Sequence, residues 1–513
     1  MRLIIFLVVL LVSNTTFSQN KYGNIWVNGY LRYFKTDFNS SVPVNSYMGH
    51  KLNICLWMGQ SNICDSNGKL ILFSNGLDIF DSLGYPIDGG GNIVPSMYYN
   101  YCAPGATSPQ TSLFLPAGND LYHFLTPIIS DNEEINLQNP NYSPKGRDLL
   151  LYNLIDMNAN NGAGKVIKRM IPILENGHMA ITNMMACRHG DGKSWWLLKQ
   201  AWDTNMVYKF LITKDSVFGP YNQGFAQPMI GKGINGWGFG GQSVFSQDGK
   251  LYASLSYRIY KLLVNDFDRC SGSLSNLRIY DVPVPSIYDD SSHVTYPSAD
   301  SLIEGIAFSP SGRFLYISKY FSILQFDLWD SNLNTAWDTI AYRDTSWLQF
   351  AGYSTLYLGP DNKIYIGNLN AISGQMSVIN YPDKKGDSCG FCKRCLRFND
   401  PNAIAITSPP NMANYNLGPS NPICWPAVVE EVPPQEEINV YPNPFEATLI
   451  IKCSHVQNIT FYLYDSFGKL ILTKTFNENK EQINTTNLSA GLYFYSIVNK
   501  NGERVKAGKV VKE

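Results

Sequence analysis

Charge is scarce in this sequence. Only 16% of its 513 residues are Asp, Glu, Lys or Arg, they sum to a formal charge of -1, and no long run of Lys or Arg occurs. A nucleic-acid partner has no electrostatic footprint here, and a polybasic membrane-surface patch is absent. Long Ala/Leu/Glu/Lys helical patterns are missing. So is any apolar run of the about 20 residues that a membrane-spanning helix needs. Catalytic signatures are equally sparse. No G-x-S-x-G elbow marks a hydrolase serine. The six histidines, His50, His123, His178, His189, His293 and His455, form no H-E-x-x-H or comparable pair. They read as surface or core residues, although a closed ring of repeats could bring distant ones together. Asp and Glu are plentiful enough in loops for the carboxylate pair of a glycoside hydrolase, but nothing singles one out.

What is abundant points to strands. Aromatics make up 13%, with 32 Tyr, and there are 41 Gly. Many aromatics and glycines with few charges fit short strands joined by tight turns. The apolar content can fill a large core and argues against disorder. The length is that of several domains, although one all-β domain can absorb much of it.

The chain begins Met1-Arg2, continues with an apolar run from Leu3 to Val12 and reaches small and polar residues ending Thr16-Phe17-Ser18-Gln19. A positive start, a short apolar stretch and a small-residue cut site describe a secretory signal peptide, residues 1–18, with Gln19 the expected mature terminus. The alternative is a buried N-terminal strand. Export means an oxidising compartment, so the ten cysteines favour disulfides. Cys55 and Cys64 flank a short stretch and could bridge a hairpin. Cys389, Cys392 and Cys395 form C-x-x-C-x-x-C, with Cys424 downstream. A metal or iron–sulfur site would want a fourth ligand soon after, and Leu396-Arg397-Phe398-Asn399 supplies none. Local disulfides are expected, with connectivity open.

A unit recurs through the middle of the chain: a turn containing Gly or Asn, then a strand rich in Leu, Tyr and Ile. It occurs around Gly68, Gly118, Gly192, Gly249, Gly312 and Asn362. The clearest instances are Phe245-Ser246-Gln247-Asp248-Gly249-Lys250-Leu251-Tyr252 and Phe308-Ser309-Pro310-Ser311-Gly312-Arg313-Phe314-Leu315-Tyr316. Most units are followed by another strand, which makes each a β-meander. Their mean spacing is about 60 residues, a long version of the propeller-blade repeat. Stacking such sheets around an axis covers their faces and leaves only short edges. Residues 19–425 are therefore expected to be one β-propeller, of seven blades by length, with a pair of β-sandwiches as the alternative. A Pro- and Glu-rich linker follows at residues 426–437. Residues 438–513, with alternating strands and turn signals, predict a small immunoglobulin-like β-sandwich. The fold class is all-β.

Three motifs in the body carry a functional reading and a plainer one. Gly231-Lys232-Gly233-Ile234-Asn235-Gly236 matches G-x-G-x-x-G, but the Trp237-Gly238-Phe239-Gly240-Gly241 that follows cannot open a stable helix. Asp156-Met157-Asn158-Ala159-Asn160-Asn161 alternates oxygen ligands. A calcium loop would also want Gly at its sixth position and Glu at its twelfth, where Asn161 and Ile167 stand. A solvated turn is the better fit, and calcium is unsupported. Trp195-Trp196 could expose one indole as a sugar platform, but packing of both is favoured. No catalytic, cofactor-binding or metal-ligating residue is assigned.

The tail carries specific motifs in order. They are Val440-Tyr441-Pro442-Asn443-Pro444-Phe445, then Tyr464-Asp465-Ser466-Phe467-Gly468-Lys469, then Leu488-Ser489-Ala490-Gly491-Leu492-Tyr493, and last Val505-Lys506-Ala507-Gly508-Lys509-Val510-Val511-Lys512. In these it resembles the type A C-terminal sorting domain of the Bacteroidetes type IX secretion system. The resemblance implies that Tyr441, Pro442, Asn443, Pro444, Asp465, Gly468, Lys469, Gly491, Tyr493, Lys506 and Lys509 form the sorting motif. It also implies passage through the type IX machinery to the cell surface or medium, with removal of the tail and attachment of the body to surface lipopolysaccharide. Cys453 is a departure from the expected pattern. More loosely, the body resembles the propeller-like region of large gliding-motility-associated or adhesive surface proteins. That likeness runs through Gly68-Lys69-Leu70-Ile71-Leu72-Phe73-Ser74-Asn75-Gly76 with Ile79-Phe80-Asp81, Leu151-Tyr152-Asn153-Leu154-Ile155-Asp156-Met157, and Pro410-Asn411-Met412-Ala413-Asn414-Tyr415. It brings no catalytic residues with it.

Two functions follow as expectations. One is a non-catalytic surface or secreted module that binds a glycan or a protein. The other is a secreted glycan-active hydrolase or lyase with its site at the propeller axis, resting on fold analogy alone. A deep axial pocket with converging carboxylates or histidines would favour the second, and a plugged axis the first. Deleting Ile438–Glu513 is expected to leave a folded body trapped in the periplasm, which cell fractionation with immunoblotting reads directly. Arrival of the truncated body at the surface would contradict the sorting assignment.

Overall fold

The computed structural model describes residues 20–513 except 140, 141, 143–145, 203–205, 225–240, 257–259, 284, 285, 290–293, 298–302, 343–351, 369–373, 399–407, 423, 425–437, 454–458, 466–468 and 500–503. The expected signal peptide, the linker, the G-x-G-x-x-G stretch and Gly468 lie outside the described residues. The chain divides into two compact units between Cys424 and Trp425.

Among the described residues, the first unit holds eight antiparallel sheets, seven following one another around a ring and one a separate hairpin. Sheet 1 is a long hairpin, β1 (Ile25–Asp37) and β2 (Val44–Leu56). Sheet 2 has β3 (Ser61–Cys64), β4 (Leu70–Ser74) and β5 (Ile79–Asp81). Sheet 3 has β6 (Leu113–Gly118), β7 (Leu121–Ile128), β8 (Leu149–Asp156) and β9 (Lys165–Leu174). Sheet 4 has β10 (Met179–Arg188), β11 (Trp195–Ala201), β12 (Met206–Ile212) and β13 (Val217–Gly224). Sheet 5 has β14 (Ser243–Phe245), β15 (Leu251–Ser256), β16 (Lys261–Asp268) and β17 (Ser273–Asp281). A separate hairpin, β18 (Ser286–Asp289) and β19 (Val294–Pro297), follows. Sheet 6 has β20 (Ile303–Phe308), β21 (Phe314–Lys319), β22 (Ser322–Asp327) and β23 (Trp337–Tyr342). Sheet 7 has β24 (Tyr353–Leu358), β25 (Ile364–Asn368), β26 (Gln375–Ile379) and β27 (Phe391–Arg397). Two short helices, α1 (Ser96–Cys102) and α2 (Asp131–Asn136), sit in loops.

All six repeated turns occupy the same place, between the first and second strand of sheets 2 to 7. The recurring Asp or Ser at the start of the turn has a local task. Asp65 accepts from the Asn67 and Lys69 amides, each at 2.9 Å, and Ser309 Oγ accepts from the Phe314 amide at 3.2 Å. Gly and Asn supply the left-handed backbone, as at Gly249 (φ 70°) and Asn362 (φ 62°). Sheet 1 carries no such turn.

Contacts between neighbours close the ring. Asn62 of sheet 2 bonds the Ile25 carbonyl and the Val27 amide of sheet 1. Ser61 and Ser112 join sheets 2 and 3. The buried indole N–H of Trp195 reaches the Pro116 carbonyl of sheet 3, and that of Trp196 reaches the Arg269 carbonyl beside sheet 5. Tyr280 and Phe326 pack at 4.6 Å between sheets 5 and 6. Ser318 donates to the Ser354 carbonyl between sheets 6 and 7. Trp26 against Tyr365, and Phe34 against Phe398, return the chain to sheet 1. Trp195 and Trp196 are both buried, so neither is a platform.

The second unit is a sandwich of a three-stranded and a four-stranded sheet. The first has β28 (Asn439–Tyr441), β29 (Thr448–Lys452) and β32 (Lys480–Asn484). The second has β30 (Ile459–Tyr464), β31 (Leu470–Phe476), β33 (Gly491–Val498) and β34 (Arg504–Lys512). Leu449, Ile451, Phe461, Leu463, Tyr493, Tyr495 and Ile497 fill the core from alternate positions, and Cys453 is buried among them.

The cysteine expectations need correction. Cys55 and Cys64 do not bridge a hairpin. They stand on β2 and β3, which belong to different sheets, and face Tyr30 and Leu70 respectively. Cys424 pairs with Cys270, far from the C-x-x-C-x-x-C run, because the chain beyond sheet 7 crosses back to the sheet 5 turn that carries Cys270. Within the run Cys392 bonds Cys395, while Cys389 is a buried thiol outside both disulfides.

Two predictions follow from the packing. The Cys270–Cys424 bond closes a 154-residue separation, for which chain entropy gives an upper figure of about 5 kcal/mol. The Cys270→Ser/Cys424→Ser protein is expected to lose about 2–5 kcal/mol in denaturant unfolding and to become protease-sensitive near residue 420. Buried His123, with Nδ1 3.0 Å from the Tyr152 hydroxyl, is pushed down to about 3 by burial and, secondarily, by Lys168. The unfolded chain takes up that proton near 6.5. The contribution to stability is therefore full above about 6.5 and lost progressively as pH falls toward about 3. Denaturant midpoints across this range should fall less steeply for His123→Gln than for the parent.

Candidate functional site at the propeller axis

A ring of sheets creates a polar problem at its centre. The first strand of each sheet borders the axis, where strands diverge and cannot pair with the neighbouring sheet. Their inward N–H and C=O groups still require partners. Buried Gln110 and Gln242 supply them, while buried Gln60 turns its amide to the chain at Ser408. A primary amide offers the same donor and acceptor as a peptide. Gln242 donates to the Leu356 carbonyl at 2.8 Å and accepts from the Ile306 and Leu356 amides at 3.1 and 3.2 Å, spanning sheets 6 and 7. Gln110 takes both main-chain groups of Ser243, at 2.8 and 3.0 Å. Gln60 donates to the Ser408 carbonyl at 2.6 Å.

Ser408 begins the second part of the solution, a segment of the chain lying along the axis. Asn411 forms a parallel bridge with Ser61 of β3. Its amide donates to the Gln60 carbonyl at 2.9 Å, its side-chain N–H to the Ser112 carbonyl at 2.9 Å, and its side-chain oxygen accepts from the Tyr357 hydroxyl at 3.1 Å. Thr355 bonds Ser408. Asn414 donates to the main chain and side chain of Gln247. The Tyr415 hydroxyl donates to the Phe114 carbonyl at 3.0 Å, and its ring meets Trp195 edge-on. Arg269 then donates to the Gly418 carbonyl, the Ser420 amide donates to the Gly190 carbonyl, and Cys424 ends in its disulfide. Residues 408–416 thus lie parallel to β3 and touch sheets 2, 3, 4, 5 and 7.

A cavity of about 130 Å³ remains beside this segment. That is below the roughly 300–1,000 Å³ of a small-molecule site. It is lined by first-strand residues such as Trp26, Met185, Phe245 and Phe308, together with Met412 and Asn414. Among the described residues, no Asp, Glu, His, Lys, Arg or Cys lines it. Its two phenols, Tyr357 and Tyr415, are pushed well above their ordinary value by burial.

Other reactive groups are committed elsewhere. His189, Asp191 and Ser194 are close, but the serine hydroxyl donates to the carboxylate at 2.8 Å. The imidazole Nδ1 accepts from the Asp191 amide, and Nε2 lies 3.0 Å from the Cys270 carbonyl. Burial would raise Asp191, but the neighbouring His189 and the bonds its carboxylate accepts from Lys193 and Ser194 outweigh it and hold the carboxyl well below the usual range. This is a braced turn, with no activated nucleophile. Burial pushes the Cys64 and Cys187 thiols up to about 12, so both are inert. No group of three or more His, Cys, Asp or Glu is placed to hold a metal among the described residues. Asp156 accepts from the Asn158 amide at 2.9 Å in an exposed turn, which accounts for that oxygen-rich stretch. The side chains of His50, His293 and His455 lie outside the description.

In the tail, several of the residues expected to form the sorting motif act as structural ties. Asn443 donates to the Lys509 carbonyl and accepts from the Val511 amide, clamping β34. Phe445 continues the clamp through its own main chain to Val511 and Glu513. Asp465 closes its turn on the Lys469 amide, Tyr493 donates to the Ser489 carbonyl, and Lys506 to that of Ile438. Gly491 has φ 150° at the start of β33. At Gly508 a Cβ would meet the Tyr495 ring at 2.6–2.9 Å, so the glycine is what lets that ring pack.

Sequence reasoning missed Gln60, Gln110, Gln242 and Cys270. It did single out Pro410–Tyr415, the axial segment, though only as a point of likeness.

No curated protein matches the chain in sequence. Among solved structures it is similar to the periplasmic gluconolactonase PpgL of Pseudomonas aeruginosa, with 12% identity over 76% of this chain and 98% of that one, TM-score 0.40. It is also similar to the Dos1 propeller (11%, 66% and 73%, TM-score 0.34). PorZ of Porphyromonas gingivalis, an essential bacterial surface component of the type IX secretion system, matches at 10% over 96% and 74%, TM-score 0.26. Residues 439–513 match the model of the secretion system C-terminal sorting domain. Behind a body whose own sheets form the propeller, the chain ends in a type IX C-terminal sorting domain, which sends it to the outer surface or the medium.

Proposed function

We propose that the body is a non-catalytic binding or adhesion module of the cell surface. On this reading the type IX machinery removes the tail on arrival and joins the body to surface lipopolysaccharide. The observation that carries the reading is the axis: the place where a propeller would house an active site is taken up by the protein's own residues 408–416 and by Gln60, Gln110 and Gln242. Among the described residues, the residual cavity is lined by no carboxylate, imidazole, amine or thiol, and its two phenols are held protonated by burial. A protein addressed to the surface whose centre is packed for stability presents its loops and turns for contact. Glycans and proteins are the partners such a face meets outside a cell.

The test is a comparison of cells with and without the protein for adhesion to glycan- and protein-coated surfaces, alongside incubation of the secreted protein with polysaccharides followed by product chromatography. Loss of adhesion with no product formed is expected. Release of oligosaccharides that disappears on mutating axial residues would overturn the reading.

A further inference from the structure

Trp329, in the loop joining β22 and β23, is 69% exposed. It is nonetheless held from below. Asp327, the last residue of β22, has a side chain only 2% exposed. It takes two bonds from Arg313, Nε at 3.0 Å and Nη2 at 2.7 Å. This fork fixes the plane of the guanidinium. The guanidinium carbon stands 4.8 Å from the Phe314 ring centroid and 5.2 Å from that of Trp329, a distance at which a cation is attracted to a π face. The same Asp327 carboxylate accepts from the Trp329 amide at 3.1 Å. One face of the indole thus lies toward a clamped cation, and the rest of the side chain is open.

The core does not need this ring. Phe326 and Trp337 already pack at 4.4 Å in the same sheet. Trp329 shares its loop with polar Asp330, Ser331, Asn332, Asn334 and Thr335 and with one further exposed apolar side chain, Leu333. The loop is braced, with Thr335 Oγ1 donating to Asp330 at 2.9 Å and the Asn334 amide to Asn332 at 3.0 Å. A second loop is drawn alongside it. Lys385 bonds the Thr335 carbonyl at 3.1 Å and Asp330 at 3.4 Å, and Ser311 bonds Asp383.

We propose that Trp329 is the stacking platform of a saccharide subsite. The apolar C–H face of a hexopyranose would lie on the open indole, and its hydroxyls would bond the amides, carboxylate and ammonium at the rim. A platform of one ring bordered by hydrogen-bonding groups matches a sugar better than a protein interface, which needs a larger contiguous apolar area. The inference rests on the binding-module reading and gives that module a ligand class and a place.

The mature secreted protein is titrated with cellotetraose, mannotetraose and N-acetylchitotetraose, read by tryptophan fluorescence and saturation-transfer NMR. Saturable binding of at least one is expected. Trp329→Ala should weaken it about tenfold or more without changing the melting temperature. Trp329→Tyr should retain part of the affinity, and Arg313→Lys, which loses the fork, should fall between. Binding by Trp329→Ala at parental affinity would overturn the subsite while leaving the binding-module reading intact. Failure of the parent to bind any of the three at millimolar concentration would also overturn it. Shortening of the oligosaccharides during titration would overturn the binding-module reading instead.

Discussion

The interaction on which the rest of the body depends is the satisfaction of main-chain polar groups at the axis. Seven first strands converge there, and geometry denies them neighbours on their inner side. Each buried N–H or C=O left without a partner costs on the order of 1–3 kcal/mol, so several would consume most of a domain's net stability. Gln242 alone takes main-chain groups from two sheets. Asn411 adds side-chain bonds to Ser112 beside sheet 3 and to Tyr357 of sheet 7. The apolar contacts between sheets are broad and tolerant of detail, but these amide bonds require particular atoms in particular places. They set the register of the ring.

The same segment that fills the axis also determines how the body ends. After Tyr415 the chain passes Arg269 and Gly190 and stops at a disulfide with Cys270. The last described residue of the body is therefore covalently fixed to sheet 5. The tail is stabilised separately. Asn443 and Phe445 tie its first motif to its last strand, so motifs at opposite ends of the tail sequence form one structural unit.

The ring of sheets was legible because its turns repeat a local rule. A carboxylate or hydroxyl captures amides two to five residues on, and Gly or Asn takes the left-handed position. That rule is written in neighbouring letters. The axial glutamines were not legible, because a glutamine before a strand reads the same whether it faces solvent or the axis. Its role comes from strands more than a hundred residues away, as Gln110 with Ser243 shows. The cysteines misled for the same reason. Nearness in sequence suggested Cys55 with Cys64, but a sheet boundary falls between them. The partner of Cys424 was set by the path of the axial segment, which spacing does not encode. Trp195-Trp196 could be read either way from alternation alone; sheets packed on both faces decided it.

Filling the axis has a consequence for where recognition can evolve. Substitution at Gln242 or Asn411 breaks several bonds at once, so those positions are constrained by folding. Loops between outer strands carry no such burden, because their main chains reach water. Trp329 fits that division. Its cation support is anchored in the buried end of β22 through Asp327, while the ring itself projects into solvent. A rigid inner body with a pre-positioned aromatic at its margin loses little conformational freedom on binding. A surface protein working at low affinity per site, and gaining strength from many copies, can use such a margin without a deep pocket.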